Sequence, residues 1–304
     1  METKSGSESL TQAAALAVRE ALREGMARLG EAQVPSHALA AELLLMHALG
    51  RDRTWLYSHP EALLEPGQVE TYFALIARRS AGEPTQYLTG KQEFWGLEFE
   101  VNRDVLIPRP ETEHIVEVAL ERIRKGTIGN AHLRVADVGT GSGCLAVVLA
   151  RELPDAEILA TDISAAALEV ARRNASRHGV TDRIHFLECD LLKGVACASL
   201  DMVVSNPPYV ARDEAAALQR EVREHEPHLA LLGGAAGTEI YAPLIEQAGA
   251  LLRPGGILVV ELGYDSAPHV HSLLGDNPAW TGIAITNDLA GIPRVVAAER
   301  QTLI

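Results

Sequence analysis

Asp201-Met-Val-Val-Ser-Asn-Pro-Pro-Tyr209 is the stretch from which the rest of the chain can be read. Asp201 to Ser205 is a short apolar, β-branched run, the composition of a buried strand. It stops at Asn206-Pro207-Pro208, because proline has no N–H to give to a sheet ladder. Asn206 precedes a proline and is pushed toward extended backbone. An amide side chain therefore sits on a stiff loop at a strand's carboxyl end, the place where open α/β sheets bind ligands. Asn206 Oδ1 and the Pro207 carbonyl are two acceptors for the hydrogens of one NH2 group, with Tyr209 as an aromatic wall. Such a site suits methyl transfer to an amide or amino nitrogen, provided that a cofactor site lies upstream. Asn-Pro alone is an ordinary turn; Asn206, Pro207, Pro208 and Tyr209 together after an apolar strand are the candidate catalytic and substrate-binding group.

Upstream, from His132, strands and helices alternate as in a parallel sheet with crossover helices. Strands are expected over 133–137, 157–160, 184–187, 202–205 and 257–261, with a closing pair at 282–286 and 295–298. Helices are expected over 143–153, 165–177, 240–252 and near 267–274. Asp137-Val138-Gly139-Thr140-Gly141-Ser-Gly143-Cys144 joins the first strand to the first helix. Its glycines allow positive φ and close approach of backbone to a ligand. Cys144 stands where a dinucleotide fingerprint wants glycine, which favours S-adenosylmethionine over NAD. Asp137, Val138, Gly139, Thr140 and Gly141 are its candidate contacts, with Asp137 accepting from the cofactor's amino group, directly or through water. Asp162 ends the second strand 19 residues past Gly143, near the spacing of a ribose-binding acid. Asp190 and Leu191 end the third, where Asp190 takes an adenine amine and Leu191 packs the ring. A glycine loop alone is a weak signal; the loop, Asp162, Asp190 and Asn206 at four successive strand ends form a strong one.

Residues 10–82 read as helices only. Val18, Leu22, Met26 and Leu29 form one apolar stripe. Ser36 caps a second helix with Leu39, Leu43 and Met46 inward and Gly50 ending it. Asp52 caps a short third one with Trp55 and Leu56, and Val69, Phe73 and Ile76 stripe a fourth, closed by Gly82. This bundle is either a structural cap or a platform for a macromolecular substrate. Phe94 to Val101 has the alternation of a β-hairpin. In Leu106-Ile-Pro-Arg109-Pro-Glu-Thr-Glu113 two prolines hold an arginine extended, and Pro110 is placed to open a helix. Arg109 is a candidate substrate contact, or else a brace that pins the linker through a carboxylate.

Forty-one acidic against 27 basic residues give a net charge of −14, a balance that disfavours a surface wrapping nucleic acid. No run approaches the roughly 18 apolar residues of a membrane span, and Met1 to Ser9 lacks a signal-peptide core. Cys144, Cys189 and Cys197 have no Cys-x-x-Cys spacing and read as reduced thiols of a cytoplasmic protein. His225-Glu-Pro-His228 is not a zinc motif, because its proline breaks the helix which that motif needs; no metal site is expected.

With these residues in view, the chain resembles the bacterial glutamine methyltransferases of peptide chain release factors (the HemK/PrmC family). The resemblance rests on Gly82 to Gly90, Glu93-Phe-Trp-Gly96, Leu106 to Glu113, Asp137 to Gly143, Asp162, Asn206 to Tyr209, Glu226-Pro227 and Gly233-Gly234. Asn-Pro-Pro-Tyr alone is shared with adenine and rRNA guanine amino-methyltransferases; Ile-Pro-Arg-Pro-Glu-Thr-Glu after a hairpin and helical domain is more specific. The resemblance implies a seven-stranded, Rossmann-like, class I S-adenosylmethionine-dependent methyltransferase domain (115–304) whose last strand is antiparallel. A helical substrate-docking domain (1–85) and a β-hairpin and Pro-rich linker (86–114) precede it. It also implies methylation of N5 of the glutamine in the Gly-Gly-Gln motif of release factors; a monomer is expected. Leu191 departs from relatives that carry an aromatic residue there. The rival substrates are a ribosomal protein's glutamine and, for a different class of enzyme, a nucleic-acid amine.

Overall fold

The computed structural model describes residues 16–126, 132–195 and 200–301, and divides into two compact units, up to Thr89 and from Gly90 onward. Cys197 and the beginning of the expected 10–82 helical region lie outside the described residues.

The first unit is helical: α1 (Val18–Glu31), α2 (His37–Leu49), α3 (Arg53–Ser58), α4 (Pro66–Ser80) and α5 (Thr85–Thr89). In α1, Val18, Ala21, Gly25 and Leu29 are buried, with Leu22 and Met26 packing at the edge of that stripe. Asp52 Oδ1 caps α3 by accepting from Trp55 N at 2.7 Å. The phase of α2 differs from the expected one. Ala40, Ala41, Leu44 and Leu45 face inward, whereas Leu39 is 46% exposed and Leu43 and Met46 are only partly covered. This helix is apolar nearly all round, so periodicity carries no phase, and packing against α1 and α4 decides which face is buried. Ser36 does not cap through its side chain; it adopts φ 49° and makes no cap hydrogen bond. Gly50 ends α2 with φ 61°, as a left-handed C-cap does. In α4 the fully buried stripe is Tyr72, Leu75 and Ile76. That helix stops at Ser80, before Gly82.

The second unit begins with a hairpin, β1 (Lys91–Phe94) and β2 (Leu97–Glu100). Its turn, Trp95-Gly96, has φ 54° and 67°, the paired positive values that match the twist of two-residue hairpins. Phe94 and Phe99 are buried in the same core as α6 (Glu113–Arg124) and the first helix of the sheet. The chain continues as β3 (Arg134–Val138), α7 (Cys144–Glu152), β4 (Glu157–Asp162), α8 (Ala165–Arg177), β5 (Ile184–Glu188) and β6 (Leu200–Ser205). Next come β7 (Val210–Ala211), α9 (Arg220–His225), α10 (His228–Leu231), β8 (Leu232–Gly234) and α11 (Tyr241–Leu251). The last elements are β9 (Leu252–Glu261), α12 (Ala267–Gly275), β10 (Trp280–Asn287) and β11 (Pro293–Arg300).

Seven strands form one sheet in the order β10-β11-β9-β6-β3-β4-β5. β11 runs antiparallel to both its neighbours, and the other pairs are parallel. The core lies on both faces of this sheet, one cluster under α6, α7 and the hairpin and another under α11 and α12. From β3 the chain winds outward to β4 and β5, then returns to place β6 on the other side. β3 and β6 thus flank the switch point, where an α/β sheet opens a crevice.

Candidate active site

The crevice at that switch point is a cavity of about 280 Å³. One wall is the loop after β3, where Gly139, Gly141 and Gly143 take φ of 72°, 54° and 80°. Positive φ at alternate residues turns the loop around a ligand-sized space, a conformation that β-carbon-bearing residues disfavour. Asn174, fully buried on α8, donates to Ser142 O at 2.8 Å and exchanges hydrogen bonds with the backbone of Glu100. One amide thereby locks the glycine loop to the hairpin.

Asp137 lies behind this loop, fully buried. Its Oδ2 accepts from Thr140 Oγ1 at 2.6 Å and from Ala146 N at 3.0 Å, while Oδ1 is buried without a partner. Burial pushes its pKa up to about 7, against the pull of those two hydrogen bonds. An orphaned carboxylate oxygen beside a glycine loop fits the amino group of S-adenosylmethionine, since a cation there would restore the charged form. Asp162 accepts from Gly141 N at 2.9 Å on Oδ2 and from Ser164 N at 2.9 Å on Oδ1. Burial raises its pKa too. Each oxygen retains a further lone-pair site, which suits a pair of ribose hydroxyls. Leu191 adopts φ 57°, held by Thr161 Oγ1 donating to its carbonyl at 2.8 Å. It lines the cavity with Cys189 and Asp190. Asp190 also pairs with Lys193 at the surface.

The opposite wall is the loop after β6. Asn206 lines the cavity, and its Nδ2 donates to Thr112 Oγ1 at 2.9 Å. Ser205 Oγ, donating to Val138 O at 2.8 Å, ties this strand end to that of β3. Pro208 lines the cavity beside Asn206. Tyr209 instead turns its ring against Gly263 and its hydroxyl to Glu261 Oε1, at 3.3 Å. Backbone packs so closely here that a Cβ on Gly233 would come within 2.5 Å of Pro208 O, and one on Gly263 within 2.9 Å of the Tyr209 ring. Among the expected site residues, Gly139, Thr140, Gly141, Asp162, Asp190, Leu191, Asn206, Pro208 and Arg109 share the cavity lining. Asp137, Val138, Pro207 and Tyr209 adjoin lining residues in the chain without themselves lining it.

Arg109 lines the cavity while its Nη2 pairs with Glu226 Oε1 at 2.5 Å. The second oxygen of Glu226 accepts from Ile107 N at 3.2 Å. The proline-rich strap is thus pinned by one buried carboxylate, which burial pushes up in pKa and the guanidinium pulls back down. Sequence reasoning did not single out Thr112 or Glu261. Glu261 ends an apolar strand as Asp137 and Asp162 do, and that position was the available signal.

The comparisons with known proteins agree with this arrangement. Residues 20–90 match the family described as PrmC N-terminal domain, and residues 118–235 the Methyltransferase small domain. A release factor glutamine methyltransferase from Koribacter versatilis is 43% identical over 94% of this chain and 100% of its own length. One from Chlorobaculum tepidum is 44% identical over 93% of this chain and 97% of its own. The chain belongs to the release factor glutamine methyltransferase family. Among solved structures, the catalytic domain of hMettl16 bound to a 3′UTR hairpin aligns at 19% identity and a TM-score of 0.54. That alignment covers 76% of this chain and 82% of the other, and it shows the fold alone. The glycine loop and the Asn-Pro-Pro-Tyr loop line one crevice.

Proposed function

We propose that this protein methylates the side-chain amide nitrogen (N5) of the glutamine in the Gly-Gly-Gln motif of peptide chain release factors, with S-adenosylmethionine as donor. The observation that carries the reading is the setting of Asn206. Its Nδ2 is committed to Thr112, so Oδ1 is the acceptor left for a substrate NH2 group. The Pro207 carbonyl is the second acceptor that we assign. Accepting from both N–H groups fixes the amide plane, so that one face of the nitrogen meets the methyl group. An amide nitrogen is a weak nucleophile because its lone pair is delocalised, and the protein's contribution is chiefly orientation.

When bound, S-adenosylmethionine would supply a methyl group on a sulfonium, the S–CH3 bond exchanging for an N–CH3 bond with a neutral thioether left behind, and the methylated amide gives its proton to bulk solvent as the product departs. The glycine loop, Asp137, Asp162, Asp190 and Leu191 would hold it. Charge disperses during the transfer, and the apolar side chains of Leu145, Ile163 and Leu191 around the cavity keep water from it. We place the reaction in the cytoplasm, on a monomeric enzyme whose helical unit docks the protein substrate; no described helix is long and apolar enough to cross a membrane.

Mass spectrometry of a release factor's Gly-Gly-Gln peptide, after incubation of the intact factor with enzyme and cofactor, tests the reading. One added methyl on the glutamine is expected. Modification of ribosomal protein or nucleic acid in parallel reactions, with the release factor untouched, refutes it. Asn206→Ala should lower the single-turnover rate about a hundredfold, the worth of one aligned hydrogen bond plus misorientation. Cofactor affinity should stay within a few-fold.

A further inference from the structure

The proline-rich strap lies in no strand, and Pro108 and Pro110 have no N–H with which to join one. Its residues nevertheless line the cavity from Asp104 to Thr112, so something else must hold it in place. Glu226, at the carboxyl end of α9, is 4% exposed. One of its oxygens accepts from Ile107 N at 3.2 Å and the other from Arg109 Nη2 at 2.5 Å. A single 3-10 turn follows, in which Thr112 N donates to Arg109 O at 3.1 Å. Thr112, 2% exposed, then accepts from Asn206 Nδ2 at 2.9 Å. Hydrogen bonds thus lead step by step from Glu226 through the strap to the Asn206 amide. We propose that Glu226 is a positioning residue for methyl transfer: by pinning Ile107 and Arg109 it holds the strap where Thr112 orients Asn206. The proposal rests on the reading of Asn206 as the substrate's acceptor and deepens it, and it assigns Arg109 to the brace and not to the substrate.

The two ends of the strap are held by different means. Thr112 immediately precedes α6, whose Ile115 and Val116 are fully buried, and Glu113 accepts from Trp95 N at 2.7 Å. The core therefore sets that end. Glu226 sets the other through two contacts, one to backbone and one to side chain. Fixed at both ends, a segment stiffened by two prolines has one course. Released from Glu226, it pivots about the start of α6, and the hydrogen bond from Asn206 Nδ2 to Thr112 is misaligned. Asn206 Oδ1 then no longer meets the substrate NH2 squarely. Misplacement of a positioning group by about 1 Å is enough to cost on the order of a hundredfold in rate.

The same pairing decides between the two roles open to Arg109. Its side chain is 30% exposed and that of Glu226 is 1% exposed. Swinging the guanidinium away to a substrate would leave a buried carboxylate without its counter-charge, a costly exchange. Arg109 therefore serves the site by staying where it is. Glu226 also ties the strap to its own neighbours in the chain, since Pro227, Leu229 and Ala230 line the same cavity. One carboxylate thus joins two lining segments that are 117 residues apart in the chain.

The test is single-turnover methyl transfer at saturating cofactor, with intact release factor varied so that limiting rate and half-saturating concentration are read separately. Glu226→Ala should lose about tenfold to a hundredfold in limiting rate. Half-saturation, and cofactor affinity by calorimetry, should stay within a few-fold of the parent. Glu226→Gln keeps one acceptor and should lose less. Arg109→Met should resemble Glu226→Ala, and combining it with Glu226→Gln should be no worse than Arg109→Met alone. A raised half-saturating concentration confined to Arg109→Met would make Arg109 a substrate contact and overturn the proposal. In the Asn206→Ala background, Glu226→Ala should have little further effect, because the amide that it positions is gone. An undiminished further loss there overturns the proposal. So does a parental rate in Glu226→Ala, which would mean that α6 alone holds Thr112. Full activity in Asn206→Ala is a different outcome: it removes the underlying reading of the site, and the proposal with it. Should Glu226→Ala fail to fold, Glu226→Gln and Arg109→Met in the two backgrounds decide.

Discussion

Replacing Asp137 by asparagine should stabilise the cofactor-free enzyme at alkaline pH and at the same time weaken its hold on the cofactor. The side chain is fully buried, its Oδ1 has no partner, and its pKa stands at about 7 against an ordinary 3.8. A carboxyl whose pKa is higher folded than unfolded favours the folded state while it keeps its proton. That contribution is complete below the unfolded value and is lost as pH rises through the folded one. The window here runs from about pH 4 to about pH 7. At about 1.4 kcal/mol for each pH unit, the full swing is on the order of 4 kcal/mol. Asparagine does not titrate, and its Oδ1 can accept from Thr140 and Ala146 as Oδ2 does. Denaturant unfolding of the two proteins should therefore give a difference that grows in favour of Asp137→Asn between pH 4 and pH 7 and then levels off. Because the pH-dependent part is read, any fixed effect of the substitution cancels. Calorimetry at pH 8 should show S-adenosylmethionine bound at least tenfold more weakly by the variant, the loss of one charge-assisted hydrogen bond. A stability difference that stays flat with pH would refute the burial argument, and unchanged affinity would refute the cofactor assignment.

Gly263→Ala places a methyl group 2.9 Å from the Tyr209 ring, inside normal contact, and should displace the Asn-Pro-Pro-Tyr loop. Single-turnover rates should fall tenfold or more while cofactor affinity, measured by calorimetry, holds; a parent-like rate would show the loop to be compliant. A chain beginning at Gly90 retains the hairpin and the whole sheet. It should fold by circular dichroism, bind cofactor, and lose activity on intact release factor. Normal turnover by that shortened enzyme would reduce the helical unit to a cap.

The sheet was legible because each strand is a short apolar run that ends at a polar residue. The runs over 157–160, 202–205 and 257–261 announce their type, although β4 continues to Asp162, β6 begins at Leu200 and β9 at Leu252, and α8 could be bounded to the residue. The glycine loop and Asn-Pro-Pro-Tyr were legible as local patterns at those ends. Two things were not. The inward face of α2 had no periodic signature, since Ala40, Leu43, Leu44, Leu45 and Met46 make it apolar on every side. The contacts behind Asn206 join Thr112, Tyr209 and Glu261 from three segments, and a long-range pairing of single polar side chains leaves no spacing to read. Their positions are fixed only when the strap before α6 meets the loop after β6, at Asn206, and that loop meets the end of β9, at Glu261.

Asp137 and Glu261 show why burial alone does not assign a role. Both are almost wholly buried carboxyls at the carboxyl ends of β3 and β9, one strand apart in the sheet, and both are pushed to about 7 by desolvation. What separates them is what each faces. Asp137 has one oxygen satisfied by the loop and one bare. A ligand's ammonium group placed there favours the charged carboxylate and draws its pKa back down, away from neutrality. Glu261 faces the Tyr209 hydroxyl, and Arg294 favours its ionised form. Glu261 does not line the cavity, whereas Asn206 and Thr112 do, and no bare oxygen of it is offered to a cofactor's ammonium group there. Loading the enzyme should therefore silence one carboxyl and leave the other. A pH dependence of cofactor binding then belongs to Asp137, and one that persists in the stability of the loaded enzyme belongs to Glu261. Measuring both on the same preparation separates the two groups without a mutation.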